Sequence, residues 1–170
     1  MPLLQDSDIQ YMRRCISIAA AGSTKADFPF GALVVHAGVI ISEKHNEALD
    51  KRQVYRHAEM LALGDAQTRL SSQQMNAATL FSTVEPCAMC SFAARELGIG
   101  RIVFGLRSPI MGGYSHWHIL QDEMISNTFP NTFGVRPEVV PDVLKDEVVA
   151  GWRSWDRHRW QRLVAKGVFR

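Results

Sequence analysis

Two short motifs constrain this chain more than anything else in it: His57-Ala58-Glu59 and, further along, Pro86-Cys87-Ala88-Met89-Cys90. Cysteines at i and i+3 share one face of a helical turn, so both thiolates can reach a single metal ion. His57 supplies a third ligand of a type zinc accepts, and no obvious fourth lies nearby. Three protein ligands leave one tetrahedral position open, which marks a catalytic rather than a structural zinc site. Glu59 lies two residues past the histidine, close enough to serve a water at that position without being a ligand. For the two motifs to meet, each must open a helix, with its backbone amides and positive dipole end directed at one point. That setting also lowers the proton affinity of the thiols.

The remaining pattern supplies elements that can carry such a site. Ser7-Asp8-Ile9-Gln10 reads as a capping box, and Ile9, Met12, Ile16, Ala19 and Ala20 continue at helical spacing to about Gly22. Cys15 falls within this helix as a small buried thiol. Two β-branched runs, Ala32-Leu33-Val34-Val35 and Val39-Ile40-Ile41, flank a turn containing Gly38 and predict a hairpin. Ser42 to Arg56 is polar and aperiodic, the pattern of a loop. A helix is expected from His57 to about Leu70, then a connector at Ser71-Ser72-Gln73-Gln74 and a strand at Thr79-Leu80-Phe81-Ser82.

Pro86 suits the first turn of the next helix, which ends near Leu97-Gly98, and Arg101-Ile102-Val103-Phe104 is a short buried strand. From Ser108 to Pro130 the pattern weakens. Val135 to Val140 reads as an edge strand interrupted by Pro137. Leu144, Val148, Trp152, Trp155 and Leu163 predict a long amphipathic C-terminal helix with Gly151 as its weak point. A hairpin followed by alternating helices and strands implies an α/β fold, a three-layer α-β-α sandwich around a mixed sheet, mostly parallel after its first strand.

The chain has 170 residues, 46% of them apolar, and no repeats or linkers, so one domain over residues 1–170 is expected. No run approaches the roughly 18 apolar residues of a membrane span. Met1-Pro2-Leu3-Leu4-Gln5-Asp6 lacks the basic and apolar regions of a secretory signal. Three cysteines, two committed to the metal motif, leave no disulfide pair, and a reducing cytoplasm is the default. A net charge of +2 is too small to argue for nucleic acid by itself. Arg153, Arg157, Arg159 and Arg162 alternate with Trp152, Trp155 and Trp160, a pattern read as packed tryptophans with solvated arginines. His116-Trp117-His118 reads as surface or pocket lining rather than a second metal pair, because no carboxylate or cysteine adjoins it.

The H-x-E and P-C-x-x-C pair, in this order and context, resembles the cytidine deaminase-like superfamily from about Phe28 to Arg107. The resemblance implies one zinc ion per subunit held by His57, Cys87 and Cys90. It implies that Glu59 shuttles protons as base and then acid while an amino group on a ring is hydrolysed to a carbonyl and ammonia. It also implies a homodimer, for which the aromatic C-terminal helix is a candidate interface. Histidine as first ligand resembles the branches acting on guanine, deoxycytidylate or adenosine in tRNA.

Pro29-Phe30-Gly31-Ala32 is similar to the guanine deaminase branch. There an aromatic and a loop asparagine contact the base, matching Phe30 and Asn46, with Ala58 beside the ring. Arg101-Ile102-Val103-Phe104-Gly105 is similar to the tRNA adenosine deaminase branch, although the following Arg107-Ser108-Pro109-Ile110-Met111-Gly112 departs from it. The expected substrate is a small aminated heterocycle, a free guanine-like base first and adenosine in tRNA as the alternative. A structural zinc site in a silent binding module, with Cys15 or another histidine completing the ligand set, is a third reading; it predicts that Glu59→Gln is harmless.

Overall fold

The computed structural model describes residues 4–24 and 26–170. The opening residues Met1 to Leu3, part of the stretch read above for a signal sequence, lie outside them. In chain order the elements are α1 (Asp6–Gly22), β1 (Gly31–His36), β2 (Val39–His45), α2 (Ala58–Gln67), α3 (Ser72–Asn76), β3 (Thr79–Val84), α4 (Ala88–Glu96) and β4 (Arg101–Leu106). A 3₁₀ turn (Ile119–Gln121), α5 (Glu123–Thr128), α6 (Pro130–Phe133), β5 (Glu138–Val140) and α7 (Lys145–Ala165) follow.

The five strands form one sheet in the order β2-β1-β3-β4-β5. β1 runs antiparallel to both β2 and β3, while β3, β4 and β5 are parallel. The expected mixed sheet and three layers are therefore present. Alternation along the strands sends Ala32, Val34, Leu80, Ile102 and Phe104 to one face, where they pack with Ala58 and Ala62 of α2 and Ala94 of α4. Leu33, Val35, Phe81 and Val103 face the other side and pack with Met12 and Cys15 of α1 and Val148, Trp152 and Trp160 of α7. α1 approaches β1 closely, since a Cβ on Gly31 would lie 2.4 Å from the Cys15 carbonyl oxygen.

Several boundaries differ from the sequence reading, each for a local reason. The capping box sits earlier: Gln5 N–H donates to Asp8 Oδ2 at 2.8 Å, and the helix starts at Asp6. Ser42 to His45, read as loop, continue β2, whose polar side chains lie at the sheet edge; Glu43 pairs with Arg14 and Lys44 with Asp65. The connector at Ser71 is a short helix closed by reciprocal Ser71 and Gln74 bonds. Pro86 precedes α4 rather than lying in its first turn, because Cys87 is the N-cap. Of the run from Val135 to Val140 only Glu138–Val140 pairs, while Val135 is 88% exposed.

The C-terminal helix breaks at Asp156 (φ −157°, ψ 98°) and not at Gly151. Asp156 Oδ1 accepts from the Arg159 N–H at 2.8 Å, so it caps a second helical segment in the way N-cap residues do. That break carries the end of the chain back toward the sheet. Gly167, at φ +71°, then turns the last residues so that Arg170 N–H donates to the Arg107 carbonyl at 3.1 Å.

Candidate active site

Each motif half sits where a strand or loop passes into a helix. His57 is the N-cap of α2 and Cys87 the N-cap of α4, both with extended backbone, and Cys90 lies one turn into α4. His57 Nδ1 is 3.5 Å from the sulfur of each cysteine, and the two sulfurs are 3.6 Å apart. Tetrahedral zinc with Zn–S near 2.3 Å and Zn–N near 2.0–2.1 Å needs ligand separations of about 3.5–3.8 Å. The donor set therefore fits a single zinc ion, with Nδ1 as the imidazole ligand. Among the described residues these three form the group that can hold a metal ion. Cys15 lies in the core on the opposite face of the sheet and His116 and His118 lie elsewhere, so none of them joins it.

Glu59 is buried in the first turn of α2, and Ser82 Oγ on β3 donates to its Oε1 at 2.9 Å. Its Oε2 lies 3.8 Å from Cys90 Sγ. Burial, and next the neighbouring Cys87, push the Glu59 carboxyl above the usual carboxylate range. The Cys90 thiol bonded to Cys87, followed by His57, lowers Cys87 to about 4, while Cys90 is pushed up by that same pairing and by burial. His57 is raised chiefly by its bond to Cys87.

These groups open on a cavity of about 610 Å³, lined largely by apolar side chains. Phe30 and Asn46 line it as the sequence suggests, together with His57, Glu59 and Cys87. Ala58 does not: it is fully buried in the core behind the site. Phe30 also meets Trp152 edge-on at 5.3 Å between ring centroids, so it serves core and cavity at once.

Sequence reasoning missed much of the wall. Trp152 comes from α7 before its break, and Leu163, Val168 and Phe169 come from the segment that follows the break at Asp156 and the turn at Gly167. Phe28 and Met111 add further apolar surface. Glu85 was also missed; its carboxylate accepts from the N–H groups of Ser108, Tyr114 and Ser115, and from Ser115 Oγ, at 2.6–2.9 Å. It ties the loop after β4 to the strand end that carries Cys87. Its position immediately before Pro86-Cys87 was the available signal.

The tryptophans of α7 pack as read: Trp152 and Trp160 are buried, and Arg153, Arg157 and Arg162 are exposed. His116 stacks edge-on against Trp117 at 4.7 Å, and Trp117 is 57% exposed.

A family model described as the cytidine and deoxycytidylate deaminase zinc-binding region matches residues 5–106. The chain belongs to that family. It is accordingly a zinc-dependent hydrolytic deaminase, as the motif resemblance implied. The tRNA-specific adenosine deaminase of Bacillus subtilis (strain 168) is 34% identical over 142 residues, 82% of this chain and 83% of the relative. The tRNA-specific adenosine deaminase of Streptococcus pyogenes serotype M1 is 32% identical over 128 residues, 75% of each. Among solved structures, a tRNA:A34 deaminase superposes with a TM-score of 0.71 at 24% identity, covering 84% of this chain and 98% of that one. NE0047 in complex with 2,6-diaminopurine gives 0.67 at 22% identity, covering 92% and 85%. At these identities the two structures speak for the fold. No helix among the described residues is long and apolar enough to cross a membrane.

Proposed function

We propose that this deaminase hydrolyses the amino group of a purine-type ring, with adenosine in tRNA as its substrate and inosine and ammonia as products. One observation carries the chemistry: a zinc-compatible His57–Cys87–Cys90 set beside a buried Glu59 at an apolar cavity. The substrate class rests on the relatives named as tRNA-specific adenosine deaminases, which match most of both chains. They favour the alternative reading of the sequence over its first choice, a free guanine-like base.

In this reading His57 Nδ1, Cys87 Sγ and Cys90 Sγ would hold the zinc ion. When bound, the metal supplies Lewis acidity that makes water nucleophilic near neutral pH. Glu59 takes a proton from that water and passes it to a ring nitrogen, then assists the departing amine, so that water adds its oxygen to the ring carbon and ammonia leaves. A carboxyl raised by burial suits a group that must both accept and return a proton. The apolar walls exclude competing water, and Phe30 offers an edge or face to the ring.

A second reading, hydrolysis of a free aminated base, is favoured by the net charge of +2, which is too small to argue for nucleic acid by itself. Zinc-loaded protein incubated with unmodified tRNA transcripts, and separately with adenine, guanine, cytosine and their nucleosides, separates the two. Inosine formed in tRNA, with salt-sensitive binding, is the expected result. Ammonia release from a free base alone would move the assignment to the second reading. Release from no compound at all would return the silent binding module.

We further propose that residues 1–170 act as one domain, in the reducing cytoplasm where both thiols stay available, and as a homodimer. Light scattering at micromolar concentration tests the last point, and a monomer would refute it.

A further inference from the structure

We propose that Asp27 is a positioning residue that locks the Asn46 amide in one orientation, so that Asn46 Oδ1 favours the amino form of the ring over its oxo form. The inference rests on the reading of the cavity as a deaminase site.

Asp27 is fully buried at the entry to the strand that carries Phe30, and its carboxylate is saturated. Oδ1 accepts from its neighbour Phe28 N–H at 3.0 Å and from the Asn46 side chain. Oδ2 accepts from Leu49 N–H at 3.1 Å and Asp50 N–H at 3.2 Å. Because a carboxylate only accepts, the Asn46 atom that meets it is the amide nitrogen. The choice between oxygen and nitrogen, which geometry alone leaves open for most amides, is made here by the network.

The consequence lies on the other branch of the amide. Asn46 is 3% exposed, and its Oδ1 is buried without a hydrogen-bond partner among the described residues. Buried side-chain acceptors are normally satisfied, so an orphan on a residue lining the cavity invites a donor from a ligand. An amino-substituted ring presents such a donor in its amine. Hydrolysis replaces it with a carbonyl that only accepts and leaves a new N–H on the adjacent ring nitrogen, so the preference holds with Oδ1 set against the exocyclic group. A fixed Oδ1 therefore attracts the substrate and repels the product. A flipped amide would reverse that preference.

Asp27→Asn tests this, since an amide at position 27 can donate as well as accept and releases the constraint. Binding is measured by calorimetry on zinc-loaded protein in the Glu59→Gln background, where turnover is blocked. The probes are a stem-loop RNA carrying adenosine or inosine, then adenine against hypoxanthine and guanine against xanthine. The expected result is a fall of at least fivefold in the amine-over-oxo affinity ratio on Asp27→Asn, with zinc retained. An unchanged ratio, including equal weakening of both forms, overturns the proposal, because a purely structural role predicts that outcome. A ligand-free readout stands beside it. In the zinc-loaded parent one Asn46 amide proton should resonate downfield and exchange slowly, and Asp27→Asn should abolish this. Absence of that signature in the parent also overturns the proposal. Its presence without binding of any probe upholds the locked amide and sinks the substrate reading instead.

Discussion

Ser82 on β3 donates its hydroxyl hydrogen to Glu59 Oε1 at 2.9 Å, which leaves Oε2 directed toward Cys90 and the zinc ligands. One oxygen is anchored to the sheet and the other faces Cys90, on the side where the proposed proton transfer takes place. The sheet thereby fixes the rotamer of the acid–base group, and α2 fixes its distance from His57.

Glu59→Gln keeps the size and most hydrogen bonding of this side chain but removes its basicity. A single positioned acid–base group is worth on the order of 10²–10⁴ in rate. Because the proposed mechanism has this carboxyl move more than one proton, the expected loss in kcat is at or above the top of that range. Zinc content by atomic absorption should be unchanged. A parallel loss of zinc would show Glu59 to be a ligand and refute the mechanism.

Ser82→Ala removes the anchor while leaving the carboxyl in place. Glu59 then samples other rotamers, and the expected effect is a fall in kcat of about tenfold, the equivalent of roughly 1.4 kcal/mol of positioning. The melting temperature should move little. A loss as large as that of Glu59→Gln would mean that Ser82 itself takes part in proton transfer.

Removing a ligand should act differently from removing the base. Cys87→Ala leaves two protein ligands, which hold zinc poorly, so metal and activity should disappear together. Chelation of the parent protein should likewise abolish turnover, and added zinc should restore it. The fold should survive chelation, because the cores on both faces of the sheet form without the site. Circular dichroism showing global unfolding on chelation would contradict this.

The metal centre and the layer architecture were legible because they depend on short-range spacing: two residues between the cysteines, alternation along strands, and a glycine in a hairpin turn. The placement of both ligand groups at helix N-termini follows from the same local rules, although Cys87 is itself the N-cap and Pro86 lies before the helix. The wall of the cavity was not legible. Leu163 and Phe169 reach the site after the break at Asp156, where a side-chain cap outweighs the helical periodicity read across it. Asp27 carries no local signature either, since its four donors come from residues that only the folded loop assembles. The Ser42–His45 segment misled because an edge strand carries polar side chains that look like loop.

The loop carrying Asn46 contributes a pH dependence. Arg56 bonds the Glu47 carboxylate and holds it below its ordinary value of 4.5. A carboxyl depressed in the folded state adds stability that is present above its unfolded value and lost as pH falls through the folded one. Arg56→Ala should therefore lower stability near pH 7 by less than about 1 kcal/mol, the scale for a partly exposed pair. The difference from the parent should vanish as pH drops well below 4.5. A difference that grows on acidification would refute the assignment.

The pair between Asp8 and Arg101 should prove asymmetric. Arg101 donates to Asp8 at 2.7 and 2.8 Å and also to Glu138 at 3.2 Å, so the guanidinium is shared between α1 and the edge of β5. Asp8 is almost wholly buried; beyond Arg101 it accepts from the Gln5 N–H. Breaking a buried pair by removing one member typically costs ~3–5 kcal/mol, because the other charge is left uncompensated. Asp8→Ala leaves Arg101 with Glu138 and should fall at the low end. Arg101→Met leaves a buried carboxylate facing apolar surroundings and should fall at the high end. The double variant Asp8→Ala with Arg101→Met should cost less than the sum of its parts, since no buried charge is then stranded. Urea titrations of the three variants measure this, and equal costs for the two single changes would show that Glu138 contributes nothing.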